Sequence, residues 1–385
     1  MSVDLILLSV SLLTWGFGEG MFTYFQPIYL QQLGANTMTI AAVFSFFALA
    51  MMLAHIPAGY LADKIGRKPL LVAAWVAGVL AGAMMALART LPVFVAGMLF
   101  YGFTAFVSAP MNSYVTSASG KLSPVRAMTL VSAAYNLGAV FGPVSGGWVA
   151  HRYGLQMIYV IAAIIFVPST VMLLFLRPQA PEAHNPQEPP ASLWRNQRLM
   201  SFLGIVLLAM FVMYLPQPLT PRFLQNERGL SVESIGLLGS VGMLGNSLAA
   251  LAVGQFAARS GFLAVQVLVA VFSLLLWKGL NLPWYMAGYF LLGGFRSTRS
   301  LIYAQIRPLI HPAQMGLAYG IAETFSALGV VLAPLLAGVL YTRDPVLVYP
   351  VSIGLIGVVV ILSGIFAPRE KGKEEVRPVA LPPEL

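Results

Sequence analysis

The sequence predicts an all-α membrane protein with twelve transmembrane helices, arranged as two six-helix bundles related by pseudo-twofold symmetry along the membrane normal. Three observations lead to this fold class: the composition, the number of long apolar runs and an internal repeat. Of the 385 residues, 58% are hydrophobic and 9% are charged, whereas a soluble globular protein carries about 25% charged residues. Too few polar side chains are available to cover the chain in water, so lipid is expected to surround most of it.

Apolar runs supply the helices, because a spanning helix needs about 20 mainly apolar residues. The prolines and scattered charges of 177–198 indicate a linker after the sixth run. The predicted units are an N-terminal bundle (1–176), a cytoplasmic linker (177–198), a C-terminal bundle (199–367) and a cytoplasmic tail (368–385). No basic residues precede the first run, as they would in a secretory signal peptide. We therefore expect this run to stay in the protein as a helix and not to be cleaved off. The twelve runs are 5–30, 38–60, 69–88, 91–116, 127–150, 155–176, 199–222, 233–257, 262–280, 283–305, 316–340 and 346–367.

The distribution of positive charge predicts the orientation in the membrane. Most of the 22 Lys and Arg residues fall in loops 59–69 and 117–126, in the linker, beside Arg259 and Arg307, or in the tail. Because cytoplasmic loops are enriched in Lys and Arg, both termini are expected on the cytoplasmic side of a cell inner (plasma) membrane. This sidedness accounts for the net charge of +9 without a nucleic-acid partner. The sequence contains no cysteine, which excludes a disulfide framework.

The two halves of the chain repeat each other. Residues 138–147 match 329–338 at an offset of 191 residues, and 27–31 match 221–225 at an offset of 194. A reduced copy of the charged loop 59–69 surrounds Arg259, and this copy has no counterpart of the acidic residue Asp63. Matches at a nearly constant offset predict a tandem duplication of a six-helix unit, an arrangement known among membrane transporters.

Two short motifs lie within this repeat, one in the charged loop between helices 2 and 3 and one in helix 5. The loop residues are Gly59, Leu61, Asp63, Gly66, Arg67 and Lys68, and the helix-5 residues are Gly138, Gly142, Pro143, Gly146 and Gly147. In these motifs the chain resembles the major facilitator superfamily, over about residues 5–367. The helix-5 motif resembles the signature of proton-coupled, multidrug-type exporters. Unlike many such exporters, the chain has no arginine in 97–102 of helix 4.

The resemblance implies that the two bundles rock around a central cavity lined by helices 1, 4, 7 and 10. It also implies that the charged loop is a gate. In this hypothesis Asp63 accepts hydrogen bonds from the start of helix 11, near Gln314 to Leu317, where the helix dipole is positive. The alternative is a solvated turn that only follows the positive-inside rule.

The glycines of helix 5 predict a close-packed surface. Gly138, Gly142 and Gly146 are spaced at i, i+4 and i+8, and together with Gly147 they are expected to line one face. Pro143 is expected to bend the helix, because a proline removes a backbone hydrogen bond. This face is a candidate for the seam on which the two halves pivot. The alternative is ordinary small-residue packing between membrane helices.

Charged side chains inside the apolar runs are the strongest functional signal, since each costs about 2.5–3.5 kcal/mol at the centre of a membrane. At a rise of 1.5 Å per residue, Arg299 and Glu323 each lie roughly 10 Å from the inner ends of their helices, so we expect them to pair. Glu19 lies deeper, about 21 Å from the inner end of helix 1. Because burial favours the protonated carboxyl, Glu19 and Glu323 are candidates for proton coupling. Arg296 is expected to pair with Glu19 in one conformation only.

The candidate substrate cavity combines aromatic residues and methionine with a minority of polar groups, which suits amphipathic or lipophilic molecules. Phe22, Thr23 and Gln26 follow Glu19 at i+3, i+4 and i+7, so they share its helix face. The alternative is that part of the predicted set faces lipid or neighbouring helices. The set is Phe22, Thr23, Gln26, Tyr101, Asn112, Tyr135, Asn136, Met213, Tyr214, Gln217, Arg296, Arg299 and Tyr303.

These features favour a secondary active transporter that exports hydrophobic or amphipathic small molecules by proton coupling and alternating access. A lipid or glycolipid flippase and an organic-anion transporter are the alternatives, since Arg296 and Arg299 can hold a phosphate or an organic anion. No phosphate-binding glycine loop, metal-spaced histidine cluster or nucleophile motif is found, so we expect no enzyme, no cofactor and no metal. The expected energy source is a proton gradient. The expected partners are a small-molecule or lipid substrate and membrane lipids, around a monomer.

Overall fold

The computed structural model describes residues 2–120, 122–179, 193–253, 257–310 and 315–368. Within these ranges the side chains of 55–65, 109, 124–125, 253 and 316–317 are not described. All regular elements in the described ranges are helical, and eleven helices are long and apolar enough to cross a membrane. The remaining predicted run, the tenth (283–305), is also helical but is interrupted at its centre. The predicted fold class is thereby confirmed.

The first bundle contains eight α-helices that form six spans, since the first and fourth spans are each divided. The helices are α1 (Val3–Thr23), α2 (Gln26–Gln32), α3 (Thr37–Ile65), α4 (Arg67–Leu87), α5 (Leu91–Phe103), α6 (Ser108–Ser117), α7 (Pro124–Tyr153) and α8 (Leu155–Leu174). The 3₁₀ turn Thr104–Val107 joins α5 to α6.

The second bundle repeats this order. Its helices are α9 (Gln197–Tyr214), α10 (Thr220–Asn226), α11 (Val232–Val253), α12 (Ala258–Lys278), α13 (Leu282–Leu292), α14 (Thr298–Ile306), α15 (Met315–Arg343) and α16 (Val348–Phe366). The 3₁₀ turn Gly293–Ser297 joins α13 to α14.

Interrupted spans occur at equivalent places in the two bundles. The first span breaks between α1 and α2 and the seventh between α9 and α10, in both places just before a proline near the start of the new helix, Pro27 and Pro221. Proline lacks the N–H that an uninterrupted helix requires, so it favours a new helical start. The fourth and tenth spans are interrupted by 3₁₀ turns instead. The internal repeat seen in the sequence is therefore also present in the backbone.

We call the end of the molecule that carries the chain termini the terminal side and the opposite end the distal side. The two bundles meet along α7 with α11 and along α3 with α15. On the distal side, Arg222 Nη1 donates to Thr37 Oγ1 at 2.7 Å and Asn226 Nδ2 donates to Gln31 Oε1 at 3.1 Å. These bonds join the bundles across the distal side. The molecule is closed there in this conformation.

The helix-5 motif lies on α7 and has two packing surfaces. A Cβ added to Gly138, Gly142 or Gly146 would lie 2.0–2.4 Å from a carbonyl oxygen of α1, within the same bundle. Gly147 faces α11 of the other bundle instead, where an added Cβ would lie 2.9 Å from the carbonyl oxygen of Val232. The expectation that all four glycines share one face is therefore wrong. Adjacent residues of a helix are separated by about 100°, so Gly146 and Gly147 cannot point the same way.

The charged loop is described only in part. The side chain of Asp63 and the proposed partner region at Gln314 lie outside the described residues, as does the side-chain environment at Gly59. Gly66 has φ +83°, a left-handed conformation that favours glycine at this turn. The gate hypothesis for Asp63 stays a prediction.

The two basic residues that follow Gly66 contact their own bundle. Arg67 is buried and donates to the Ser113 carbonyl oxygen, to Ser117 Oγ and to Gln179 Oε1. Lys68 Nζ donates to the Leu174 carbonyl oxygen at 2.9 Å. These contacts fix the start of α4 against the terminal-side ends of α6 and α8.

Candidate functional site

A central cavity of about 690 Å³ opens between the bundles. Its lining runs from Gln26 and Gln217, near the distal closure, to Val115 and Met128, near the terminal ends of α6 and α7. The cavity is therefore reached from the terminal side. Most of its wall belongs to the first bundle, and the second contributes Tyr214, Gln217, Phe295 and Arg296.

Most of the predicted cavity residues line this space. They are Phe22, Thr23, Gln26, Tyr101, Asn112, Tyr135, Asn136, Tyr214, Gln217 and Arg296, together with Glu19. Met213 does not: it is fully buried in the hydrophobic core of the second bundle. Because Met213 and Tyr214 are neighbours on α9, they point in directions about 100° apart, and only Tyr214 faces the cavity. Arg299 and Tyr303 lie in a separate cluster.

Several aromatic residues of the wall were not predicted. Trp15 lies one turn before Glu19 on α1, so the helical spacing used for Phe22 and Gln26 would have found it. Phe47 and Trp75 come from α3 and α4, in spans 2 and 3. They were missed because the family resemblance assigns the lining to spans 1, 4, 7 and 10. Trp15 stacks against Phe166 of α8 with ring centroids 4.0 Å apart, so this part of the wall is packed against the helix behind it.

Among the described residues of the cavity wall, the acidic one is Glu19. The Tyr135 hydroxyl donates to Glu19 Oε2 at 3.1 Å, and the Tyr101 hydroxyl also interacts with this carboxylate. Tyr101 is in turn fixed by Trp15, whose Nε1–H donates to the tyrosine oxygen at 3.1 Å. The carboxylate of Glu19 is thus held in place by hydroxyl groups from α5 and α7.

Arg296 faces Glu19 from the other bundle. It lies in the 3₁₀ turn Gly293–Ser297 and is an exposed side chain despite its depth, because it points into the cavity. Its guanidinium interacts electrostatically with Glu19 and Tyr135, and among the described residues it is the cation that acts on Glu19. No direct ion pair forms between the two within the described residues. A negative charge on one bundle therefore faces a positive charge on the other.

The predicted pair of Arg299 and Glu323 is confirmed. Arg299 Nε lies 2.5 Å from Glu323 Oε1, and it also donates to the Tyr303 hydroxyl at 3.1 Å. Tyr303 donates to the same carboxylate and stacks on Tyr319 with ring centroids 4.4 Å apart. With the arginine side chain 52% exposed and that of Glu323 29% exposed, the cluster is accessible. The charge of Glu323 is balanced by its ion pair with Arg299, whereas Glu19 forms no direct ion pair with a described residue.

The repeat shows where this cluster lies. At the offset of 191 residues, Glu323 corresponds to Ser132, and Tyr303 and Tyr319 correspond to Asn112 and Met128. All three counterparts in the first bundle line the cavity. By the pseudo-twofold symmetry, the cluster belongs to the matching wall of the second bundle, toward the terminal opening.

A second, smaller cavity of about 200 Å³ lies on the distal side of Arg296. We call it the distal chamber. It shares Thr23, Gln26, Phe47, Tyr214, Gln217, Phe295 and Arg296 with the central cavity. Its other lining residues are Tyr24, Pro27, Phe44, Pro218, Thr220, Pro221, Gly242, Met243, Asn246, Phe272, Tyr289, Leu292 and Gly293.

Comparison with known proteins identifies the family. The family model of the Major Facilitator Superfamily matches residues 8–277 and 202–383. The chain is 33% identical over 141 residues to "Uncharacterized MFS-type transporter MJ1560" of Methanocaldococcus jannaschii, covering 36% of each protein. It is 28% identical over 193 residues to a "Putative sugar efflux transporter" of Deinococcus radiodurans, covering 48% of this chain and 49% of that protein. The chain thus spans about a third to a half of the length of these curated relatives.

A longer match is found with "Multidrug resistance protein MdtG" of Salmonella heidelberg, at 24% identity over 355 residues, or 86% of this chain and 87% of that protein. The crystal structure of "nucleoside transporter NupG" superposes with a TM-score of 0.72 at 16% identity, covering 94% of this chain and 98% of that one. At this identity the likeness concerns the fold. Since the family model covers both bundles, and eleven of the described helices are long and apolar enough to cross a membrane, the chain belongs to the Major Facilitator Superfamily and is a multi-pass membrane protein.

Proposed function

We propose that this protein exports hydrophobic or amphipathic small molecules in exchange for protons, by alternating access in the plasma membrane. The observation that carries the proposal is the carboxylate of Glu19, the one acidic group among the described residues of the central cavity, held opposite Arg296 of the other bundle. The terminal side is assigned to the cytoplasm on the positive-inside rule. In that orientation the cavity is open to cytoplasmic substrates in this conformation.

The cavity supports the proposed substrate class through its size and its wall. Pockets for drug-sized ligands measure about 300–1,000 Å³ and are mainly apolar, and the central cavity measures about 690 Å³. Trp15, Phe22, Phe47, Trp75 and Phe295 supply aromatic surface from both bundles. A relative aligned along most of its length carries a multidrug resistance name, which agrees with this class.

The placement of the two charges on opposite bundles supports proton coupling. When Glu19 is ionised, its attraction for Arg296 favours the conformation in which the two lie close together. Because the two form no direct ion pair, this attraction is below the roughly 4 kcal/mol that two unit charges 4 Å apart have at an effective dielectric constant of 20. Protonation of Glu19 removes this attraction, so it changes the relative free energies of the two conformations. A proton gradient can then drive the rocking motion.

The test is transport of ethidium in proteoliposomes with an imposed pH gradient. We expect Glu19→Gln to abolish pH-driven flux while ethidium still exchanges down its own gradient. Glu233→Gln is the matched control, because Glu233 is an exposed acid at the start of α11 outside both cavities. Undiminished pH-driven flux in Glu19→Gln would show that this carboxylate is not the coupling group.

Organic-anion transport is the second candidate, and the exposed guanidinium of Arg296 in the cavity favours it. Under this alternative an anionic dye such as fluorescein is transported and Arg296→Gln abolishes its transport. If ethidium is not transported and fluorescein is, this second function replaces the first.

Lipid flipping is the remaining alternative hypothesis, and no feature of the described residues favours it in the way that Arg296 favours organic-anion transport. An apolar groove of about 510 Å³ lies between α1, α7 and α8, but none of its described lining residues also lines the central cavity.

A further inference from the structure

We propose that the distal chamber is a binding site for a small monovalent anionic group, built on Arg296 and filled when Glu19 is protonated. The anionic group is either a free halide or the carboxylate of a bound substrate, since both present the same charge to a guanidinium. The linkage to Glu19 rests on the proton-coupling role proposed above, whereas anion binding itself does not.

The size of the chamber limits its occupant. Its volume of about 200 Å³ has room for several water molecules. Ligand pockets for drug-sized molecules start at about 300 Å³. The chamber therefore takes an ion with some water, or one polar group of a larger molecule whose apolar part occupies the central cavity.

The lining of the chamber has the polarity that an anion requires. It contains one cation, Arg296, and no acidic side chain among the described residues. Gln26 and Tyr289 are only 4% and 2% exposed, yet their side chains, like the hydroxyl of Tyr24, bond to no described residue. The polar atoms of these side chains are not enclosed by protein, so their N–H and O–H groups can donate to an occupant of the chamber. With a guanidinium and no carboxylate among its described lining residues, the chamber favours an anion over a cation.

The chamber also lies where an occupant contacts both bundles. Thr23 and Gln217 are counterparts at the offset of 194 residues, and so are Gln26 and Thr220. All four line the chamber, next to the breaks in the first and seventh spans. The chamber is therefore centred on the pseudo-twofold axis, and the bundles cannot rock without changing its shape. Anion occupancy and conformation are consequently linked.

Arg296 has competing partners, and this competition gives the site its pH dependence. The charged or titratable groups that act on the guanidinium are Glu19 and Tyr24 of α1, Tyr135 of α7 and Tyr214 of α9. Tyrosines keep their protons at neutral pH, so Glu19 is the group that changes charge. Ionised Glu19 repels an anion and engages Arg296. Protonated Glu19 leaves the guanidinium to the anion, so anion binding strengthens as the pH falls.

The experiment measures chloride binding to the purified protein in detergent, by chloride NMR linewidth at constant ionic strength in a buffer that contains no carboxylate. For the wild type we expect binding about tenfold tighter at about pH 5.5 than at about pH 8. Arg296→Gln should remove the specific broadening. Tyr24→Phe, which keeps the ring, should weaken it several-fold. The control Arg89→Gln changes an exposed arginine at the far end of α4 and should behave as wild type.

Glu19→Gln tests the linkage, because it removes the charge that competes for Arg296. We expect it to bind chloride as tightly at about pH 8 as the wild type does at about pH 5.5. Competition with acetate then identifies the source of the anionic group: displacement assigns the site to carboxylates, and its absence assigns it to halides.

Two results would overturn the proposal. Broadening that is equally weak in the wild type and in Arg296→Gln at both pH values means that no site exists. Equal chloride affinity in the wild type at the two pH values means that Glu19 does not control it. Neither result involves transport, so a failure here is distinct from a failure of proton-driven export.

Discussion

The contact between α7 and α11 offers a sharp test of how the bundles are held together. Gly236 of α11 packs directly on the α7 backbone of the other bundle, where an added Cβ would lie 2.4 Å from the Pro143 carbonyl oxygen and 3.0 Å from the Gly147 Cα. Neither neighbour is a flexible side-chain end, so Gly236→Ala forces the two helices apart. The substitution therefore acts on the closed distal side of the molecule.

The size of the effect follows from the overlap. Inserting a methyl group into a well-packed contact costs about 1–3 kcal/mol. Since each 1.4 kcal/mol is a factor of ten in an equilibrium constant, the balance between distal-closed and distal-open conformations should shift by roughly 5- to 150-fold toward distal-open. Gly142→Ala provides the matched control. Its Cβ would also lie 2.4 Å from a carbonyl oxygen, that of Phe17, but within one bundle.

The assay uses the lack of native cysteine. Ser132→Cys places one thiol on the cavity wall, at an exposed position, where a membrane-impermeant maleimide reaches it from the terminal side. We expect Gly236→Ala to slow the labelling, because the terminal opening is then closed for more of the time. Gly142→Ala should leave the labelling rate unchanged and lower the thermal stability of the protein.

Unchanged labelling in Gly236→Ala would refute the reasoning, since a backbone clash between bundles would then leave their equilibrium unaffected. Equal slowing in Gly142→Ala would refute it as well, because a clash inside one bundle would then act like one between bundles.

Three further predictions concern other parts of the molecule. Arg222→Gln removes the 2.7 Å hydrogen bond to Thr37 across the distal side, so it should also slow labelling of the cavity thiol, and wild-type rates would argue against a closing role. Met213→Ala should lower the free energy of unfolding by about 2–5 kcal/mol through a core cavity without changing ethidium affinity, as measured by denaturation and dye binding. Asp63→Asn should impair ethidium turnover while leaving its affinity nearly unchanged, and a large loss of affinity would contradict the gate hypothesis.

Much of the candidate site could be predicted from the sequence, because its residues follow helical spacing. Glu19, Phe22, Thr23 and Gln26 lie on one face of the first span, and all four line the central cavity. The pairing of Arg299 with Glu323 followed from depth alone, since unpaired charges are costly in an apolar environment. Met213 was misplaced because spacing within one span does not show which face meets the other helices.

The sequence by itself determined the number of spans, the repeat and the positions of the membrane charges, because these depend on local composition and on distances along one chain. Only the tertiary structure decided which groups meet across the molecule. It placed Arg296 opposite Glu19, put Gly147 on the contact between bundles, and enclosed the distal chamber at the two span breaks. The physical reason is that contacts between helices depend on their rotation and crossing, which differ little in energy for a chain that is apolar on most faces.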